Sequence, residues 1–286
     1  MYAVMGVTGK VGGAAARALL EAGAPVRAIV RDAKKGEAWS AQADVALADI
    51  HDTPALAAAL AGCEGVFVML PPMFDPSPGF PEAAAMISGL KAALLQAAPG
   101  RIVVLSTIGA EATQPNLLNQ LGMLEQALAD LPMPVTFLRA AWFIENAAWD
   151  VAPARDAGVI RSYLQPLDRP VPMISSEDVG RAAAALLQAP WAGHRVVELE
   201  AAERVTPLDL AQAFAEALGR PVRAEAVPRS EWETIFRAEG VRNPQPRMQM
   251  LDGFNAGWID FPDRGAGARK GAISLKQAVA ALVRQA

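Results

Sequence analysis

Residues 3–13 read AVMGVTGKVGG, with Gly6, Gly9 and Gly12 recurring at every third position between an apolar run and an alanine-rich one. The chemistry such a turn can do is to hold a phosphate. Gly6 suits a tight strand-to-helix turn, Gly9 lets backbone approach a pyrophosphate, and Gly12 lets the following helix pack closely on the strand. The helix that follows offers its unpaired N–H groups and the positive end of its dipole to a phosphate. The spacing GxxGxxG is one residue longer at the front than the common dinucleotide fingerprint.

Four further positions extend this reading, each just after an apolar run. Arg31 follows VRAIV, where the ribose 2′ position of a bound dinucleotide would lie. An arginine there pairs with the 2′-phosphate of NADP, whereas an acid accepts from the ribose hydroxyls of NAD. Asp32 is adjacent, so both options stand side by side; Lys10, Lys34 and Lys35 add positive charge on that side, the last two reading first as solvated surface lysines, and NADP is expected over NAD. Asp49 is placed to meet the adenine amino group, with Ile50 against the ring; the alternative for Asp49 is a helix-start acid. MLPP at residues 69–72 closes the fourth strand with two prolines, Pro71 and Pro72, rigid walls near the middle of the cofactor. Ser106 and Thr107 are expected at the nicotinamide ribose, the alternative being a cap on the next loop.

The elements that must position these residues alternate regularly. Apolar runs at PVRAIV, DVALAD, GVFVML, RIVVLST and PVTFLRA, unbroken by polar alternation, predict strands covered on both faces. Between them lie helical stretches such as TPALAAALAG, with Thr53 as the expected N-cap, and PEAAAMISGLKAALLQAAPG. The fold class expected is α/β: a Rossmann-like doubly wound parallel sheet with a smaller C-terminal α/β lobe. Residues 1–150 would form the nucleotide-binding domain, which also receives segments around 171–200, and residues 151–286 the smaller lobe, the boundary being interleaved. Within the second half, SSEDVGRAAAALLQA and TPLDLAQAFAEALGRP read as capped helices, while RNPQPRM and DFPDRGAGARKG read as loops.

Bulk composition removes other classes. The 286 residues are 52% hydrophobic and carry a net charge of −4, which offers no footprint for direct nucleic-acid binding. No apolar stretch reaches the roughly 20 residues of a membrane span, and no secretory leader is read, so the expectation is a cytoplasmic protein. The single cysteine, Cys63, excludes an internal disulfide and is expected to be buried. His51 and His194 lack metal-ligand spacing, so no metal site is expected.

GVTGKVG, VRAIVRD, LADIHD, LSTIGA and LRAAWFIENA, together with PMISSEDVGRAAAALL and LDGFNAGWIDF, resemble the NmrA-like branch of the atypical short-chain dehydrogenase/reductase superfamily. The resemblance implies an NAD(P)-binding Rossmann fold and roles from quinone reduction to redox sensing. On matching positions it implies cofactor contacts from Gly6, Thr8, Gly9, Lys10, Val11, Arg31, Asp49, Ile50, Leu70, Pro71 and Thr107. Trp142, Phe143 and Asn146 would line the substrate cleft. One departure is plain: typical short-chain reductases carry a Tyr-x-x-x-Lys pair, but Tyr2 lies in the first strand and Tyr163 is followed four residues on by Leu167. No catalytic residue is therefore assigned. Glu145 is weighed as a general acid or as a helix cap. The expected function is hydride transfer from NAD(P)H to a quinone-like, electron-poor small molecule, without a Tyr-Lys acid pair. The alternative is a non-catalytic NAD(P) redox sensor acting through a protein partner, and a homodimer is also compatible.

Overall fold

The computed structural model describes residues 1–285. Its centre is an eight-stranded, wholly parallel sheet. Strands β1 (Tyr2–Met5), β2 (Val26–Val30), β3 (Asp44–Leu47), β4 (Gly65–Val68), β5 (Ile102–Thr107) and β6 (Val135–Ala140) form the first six. After the two-residue strand β7 (Trp142–Phe143), β8 (Val159–Ser162) and β9 (Met173–Ile174), the chain returns to the sheet with β10 (His194–Glu200). Strand β11 (Arg223–Ala226) pairs with β8, and β12 (Arg269–Lys270) completes the large sheet, whose order is β12-β10-β6-β5-β4-β1-β2-β3. The chain winds outward from β1 to β3, then crosses back to β4. That reversal opens a crevice at the carboxyl ends of β1 and β4.

The inner strands β1, β2, β4, β5 and β6 are apolar on both faces because both faces are covered, whereas β3, expected to be covered likewise, is an edge strand that leaves Asp44 and Leu47 exposed. One side packs α1 (Lys10–Glu21) and, from later in the chain, α7 (Ser176–Gln188) on Val4, Ala28, Phe67 and Leu105. The other packs α3 (Thr53–Leu60), α4 (Pro81–Ala97) and α5 (Asn119–Leu128) on Ala3, Ile29, Val68 and Val104. Between α1 and α3 lies the short α2 (Ala33–Gly36). A 3-10 helix at Ile144–Asp150 leads into α6 (Val151–Ala157). The second half adds α8 (Pro207–Leu218), α9 (Trp232–Ala238), α10 (Gln245–Ala256) and α11 (Leu275–Gln285) beyond the carboxyl edge.

Several local expectations are corrected. Helix α3 is capped by the Asp52 carboxylate, which accepts from the Ala55 N–H at 3.0 Å, so Thr53 is its first helical residue. RNPQPRM is not all loop: α10 begins inside it at Gln245, because Pro246 occupies the first turn, where its missing N–H costs nothing. DFPDRGAGARKG also contains more than loop, since Arg269 and Lys270 pair with Leu199 and Glu200 as the sheet's last strand. Elsewhere the caps fall where the residue types place them. Ser175 caps α7, and Thr206 with Asp209 forms a reciprocal capping box on α8. Cys63 is buried, and among the described residues no helix is long and apolar enough to cross a membrane.

Candidate functional site

The site begins at the glycine turn. Gly6 has φ +69°, and a Cβ on Gly12 would fall 2.4 Å from the Gly6 carbonyl oxygen, so helix α1 starts against the end of β1 with no room for a side chain. Gly9 is the residue before α1; no side chain caps the helix, and its first turn carries no acid. Gly6, Thr8, Gly9 and Lys10 are exposed, while Val11 and Gly12 are buried. The amino end of α1 thus presents uncapped N–H groups and a partial positive charge to solvent, which is the donor set an anion requires.

At the end of β2, Arg31 is exposed and the neighbouring acid is already engaged. Asp32 accepts from the Lys34 N–H at 2.9 Å and caps α2, which carries Lys34 and Lys35. Asp49 lies in the loop after β3, where one carboxylate oxygen accepts from the His51 N–H at 2.9 Å. Ile50 is buried in the core beside Leu56, and Leu70 is likewise buried, with Pro71 half-buried at the end of β4.

Ser106 and Thr107 part company because strand residues alternate in direction. Ser106 faces α5 with Ile102 and Val104, and its hydroxyl donates to Glu125. The same Glu125 carboxylate takes two hydrogen bonds from Arg139 on β6, at 2.9 and 2.7 Å, and Glu111 meets the guanidinium at 2.6 Å. Burial works against the charge on Arg139, yet Glu125, Glu111 and Glu198 hold its pKa above the ordinary arginine value. The hydroxyl expected at a ribose therefore belongs to an internal network. Thr107, on the opposite face, remains half-buried at the strand end.

Beyond β6 lie the residues expected to line a substrate cleft. Trp142 and Phe143 pair in register with Met173 and Ile174, and the Trp142 N–H donates to the Pro172 carbonyl at 3.1 Å. Trp142 meets Phe254 of α10 edge to face at 5.2 Å. Asn146 is exposed on the following 3-10 turn. Glu145 accepts from the Ser176 N–H with both oxygens, at 3.0 Å each, and from the Ser175 hydroxyl at 3.2 Å. Of the two roles weighed for Glu145, the geometry gives helix capping, although of α7 rather than of the turn it stands in.

Two features have no signature in the sequence. Asp150 ends the 3-10 turn, and burial alone pushes its carboxyl up to about 7. Its charge also raises the pKa of Tyr163, a smaller contribution than burial, and Tyr163 meets Trp232 edge to face and Phe236 at a tilt. Phe254 sits on a helix whose polar starting segment reads as loop; only its place in an apolar pattern after residue 248 could have marked it. Among the described residues no cluster of three metal-ligating side chains occurs.

Comparisons with known proteins follow the same outline. The chain is 29% identical over 230 residues to an NAD(P)H azoreductase of Xenophilus azovorans, covering 79% of this chain and 77% of that one. Its fold superposes on that of a triphenylmethane reductase of a Citrobacter species complexed with NADP(H), at a TM-score of 0.80 and 22% identity, over 100% of this chain and 99% of the other. An NADPH-dependent quinone oxidoreductase of Escherichia coli, also complexed with NADPH, matches at a TM-score of 0.80 and 24% identity, over 99% of both chains. The family model of the NmrA-like family matches residues 2–255, and with its glycine turn and its 3-2-1-4-5-6 strand order this chain belongs to the NmrA-like family.

Proposed function

We propose that this protein is an NADPH-preferring reductase that passes hydride to a flat, electron-poor acceptor such as a quinone or an azo dye. The observation that carries the reading is the uncapped amino end of α1 inside GVTGKVG, facing the same sheet edge as the aromatic strip Trp142–Phe143. A dinucleotide fits this arrangement: Gly9 and Gly12 keep side chains off the phosphate path, and the helix supplies donors. Arg31, Lys34, Lys35 and Lys10 are exposed, and among the described residues none forms an ion pair, so their charge is available to a 2′-phosphate. With Asp32 committed to α2, the acid that would select NAD is engaged by backbone.

When bound, the nicotinamide supplies the hydride. The chain's own part is to hold and orient. Trp142 and Phe254 offer an edge-to-face aromatic wall against which a planar acceptor stacks. Thr107 and Pro71 bound the middle of the crevice. No tyrosine–lysine pair stands there to deliver a proton, which suits acceptors whose reduced anion is weakly basic and takes its proton from water. The azoreductase, dye reductase and quinone oxidoreductase relatives all reduce molecules of this kind by name.

Fluorescence titration with NADPH and NADH tests the cofactor claim, with NADPH expected to bind roughly tenfold more tightly or better, as a charge-assisted contact provides. Stopped-flow mixing of the NADPH complex with naphthoquinones and azo dyes tests the reaction. Loss of NADPH absorbance faster than in the protein-free mixture supports reduction. A complex that holds NADPH and oxidises it with no member of the panel moves the reading to a redox sensor.

A further inference from the structure

The first turn of α7 is where three otherwise separate parts of the molecule meet. From the cleft comes Glu145, whose carboxylate receives the Ser176 N–H at 3.0 Å and the Ser175 hydroxyl at 3.2 Å. From α1 comes Arg17, paired with Glu177 at 3.0 Å. One turn further along, a Cβ on Gly180 would fall 2.4 Å from the Ala14 Cβ and 2.7 Å from the Val11 carbonyl oxygen, so the two helices touch backbone to backbone. From the end of the chain come the Ala272 and Ile273 N–H groups, which donate to Asp178 at 3.1 and 2.9 Å. Helix α7 is thus a strut in close contact with the helix that faces the phosphate, and its amino end grips the turn that follows the aromatic strip.

We propose that Glu145 is a positioning residue: through α7 it sets the place of Trp142, Phe143 and Asn146 relative to the cofactor held on α1. The proposal rests on the reductase reading for its kinetic consequence, but not for the contact itself. Besides the Trp142–Phe254 contact and the burial of Ile144 and Ala147 in the core, hydrogen bonds fasten this segment at two places. The β7–β9 pairing fixes its backbone at Trp142 and Phe143, and Glu145 fixes the turn that follows. Without the second, the turn bearing Asn146 loses its only side-chain tie to α7 shown by the described residues, and the acceptor wall is free to shift. A misplacement of about 1 Å at a hydride-transfer site is enough to cost on the order of 100-fold in rate.

Glu145→Ala and Glu145→Gln separate this from a general loss of stability. The glutamine keeps an oxygen that accepts the Ser176 N–H; the alanine does not. Three measurements apply to each variant: NADPH affinity, the limiting rate of NADPH oxidation at saturating 1,4-naphthoquinone, and hydrogen exchange in peptides covering 142–150 and 11–20. For Glu145→Ala the expected result is NADPH affinity within about twofold of wild type, a limiting rate lowered about tenfold or more, and faster exchange in 142–150 but not in 11–20. Glu145→Gln should recover most of the rate. The idea is overturned if exchange in 142–150 is unchanged, if the limiting rate stays within about twofold of wild type, or if NADPH affinity falls in step with the rate. Glu145→Asp, too short to reach Ser176, serves the same comparison if the alanine variant does not fold. Should the wild-type complex oxidise no naphthoquinone, the reductase reading fails by itself, and the exchange in 142–150 still decides for or against the anchor.

Discussion

Gly12 sits so close under Gly6 that the Cβ of any other residue at position 12 would overlap the Gly6 carbonyl, 2.4 Å away, and the Met5 carbonyl oxygen, 2.5 Å away. Gly9 is different: its added Cβ meets only the Gly6 oxygen, at 3.3 Å. Two glycines of one motif therefore serve two ends, one structural and one open to a ligand. Gly12→Ala should lower the melting temperature and, by pushing α1 off β1, weaken NADPH binding as well, a backbone clash being among the few causes of losses above about 3 kcal/mol. Gly9→Ala should fold with nearly unchanged stability, so any loss of NADPH affinity reports the approach of the phosphate. Thermal melts paired with titrations distinguish the two; equal destabilisation by both would refute the division.

Arg31 is the test of cofactor choice. Arg31→Ala should weaken NADPH by about 1.5–3 kcal/mol, the range for a hydrogen bond to a charged group, while NADH affinity changes little. Parallel weakening of both cofactors would remove Arg31 from the 2′-phosphate. Because Asp32 is occupied by the Lys34 N–H, Asp32→Asn should not convert the preference.

Ser106 and Thr107 should behave oppositely. The Ser106 hydroxyl donates to Glu125, so Ser106→Ala is expected to cost about 1 kcal/mol of stability and to leave NADPH affinity within about twofold. Thr107→Val, on the other face, should weaken NADPH without a matching fall in stability. Glu125→Ala, which strips Arg139 of its bidentate partner in a largely buried setting, should cost about 3 kcal/mol in a denaturant titration. A cost below about 1 kcal/mol would mean that Glu111 alone satisfies Arg139.

Asp150 gives a pH signature. Its folded pKa, about 7, stands above its ordinary value of 3.8, so the folded protein binds the proton more tightly than the unfolded chain. The stability tied to that proton is complete below about pH 4, declines as pH rises through 7, and is gone above it. Asp150→Asn keeps the shape and removes the charge. Relative to wild type it should gain stability as pH rises from 5 to 8, by at most about 3 kcal/mol, since about two pH units of the titration fall in that window. Urea melts at pH 5 and pH 8 measure this; a difference independent of pH would contradict the burial of the carboxyl.

Much of the sheet was legible because parallel strands buried on both faces leave short, unbroken apolar runs such as GVFVML and RIVVLST. The cofactor turn was legible for a related reason: Gly6 and Gly12 are dictated by backbone sterics, and only glycine satisfies them. Ser106 shows where such reading stops. Its place at a strand end is plain in one dimension, but which face it takes depends on the pleat, and its partner Glu125 stands 19 residues away on a separate helix. Glu145 likewise caps a helix 31 residues downstream, a pairing set by the fold rather than by local spacing. The start of α10 was hidden because prolines at 244 and 246 mark a loop and a helical first turn equally well. Asp150 was invisible because its surroundings, not its neighbours in sequence, make it unusual.

The main sheet draws β10 and β12 from beyond residue 150, with α7 lying between α1 and the return of the chain. Acceptor range in such a molecule is therefore not a module appended at one end. Removing everything after residue 150 would leave β6 as a bare edge with a row of unpaired N–H and carbonyl groups, an invitation to aggregate. It would also uncover the face of α1 against which Gly180 is seated. The later elements carry part of the sheet itself, so any change to the acceptor wall has to leave β10, β12 and α7 in place.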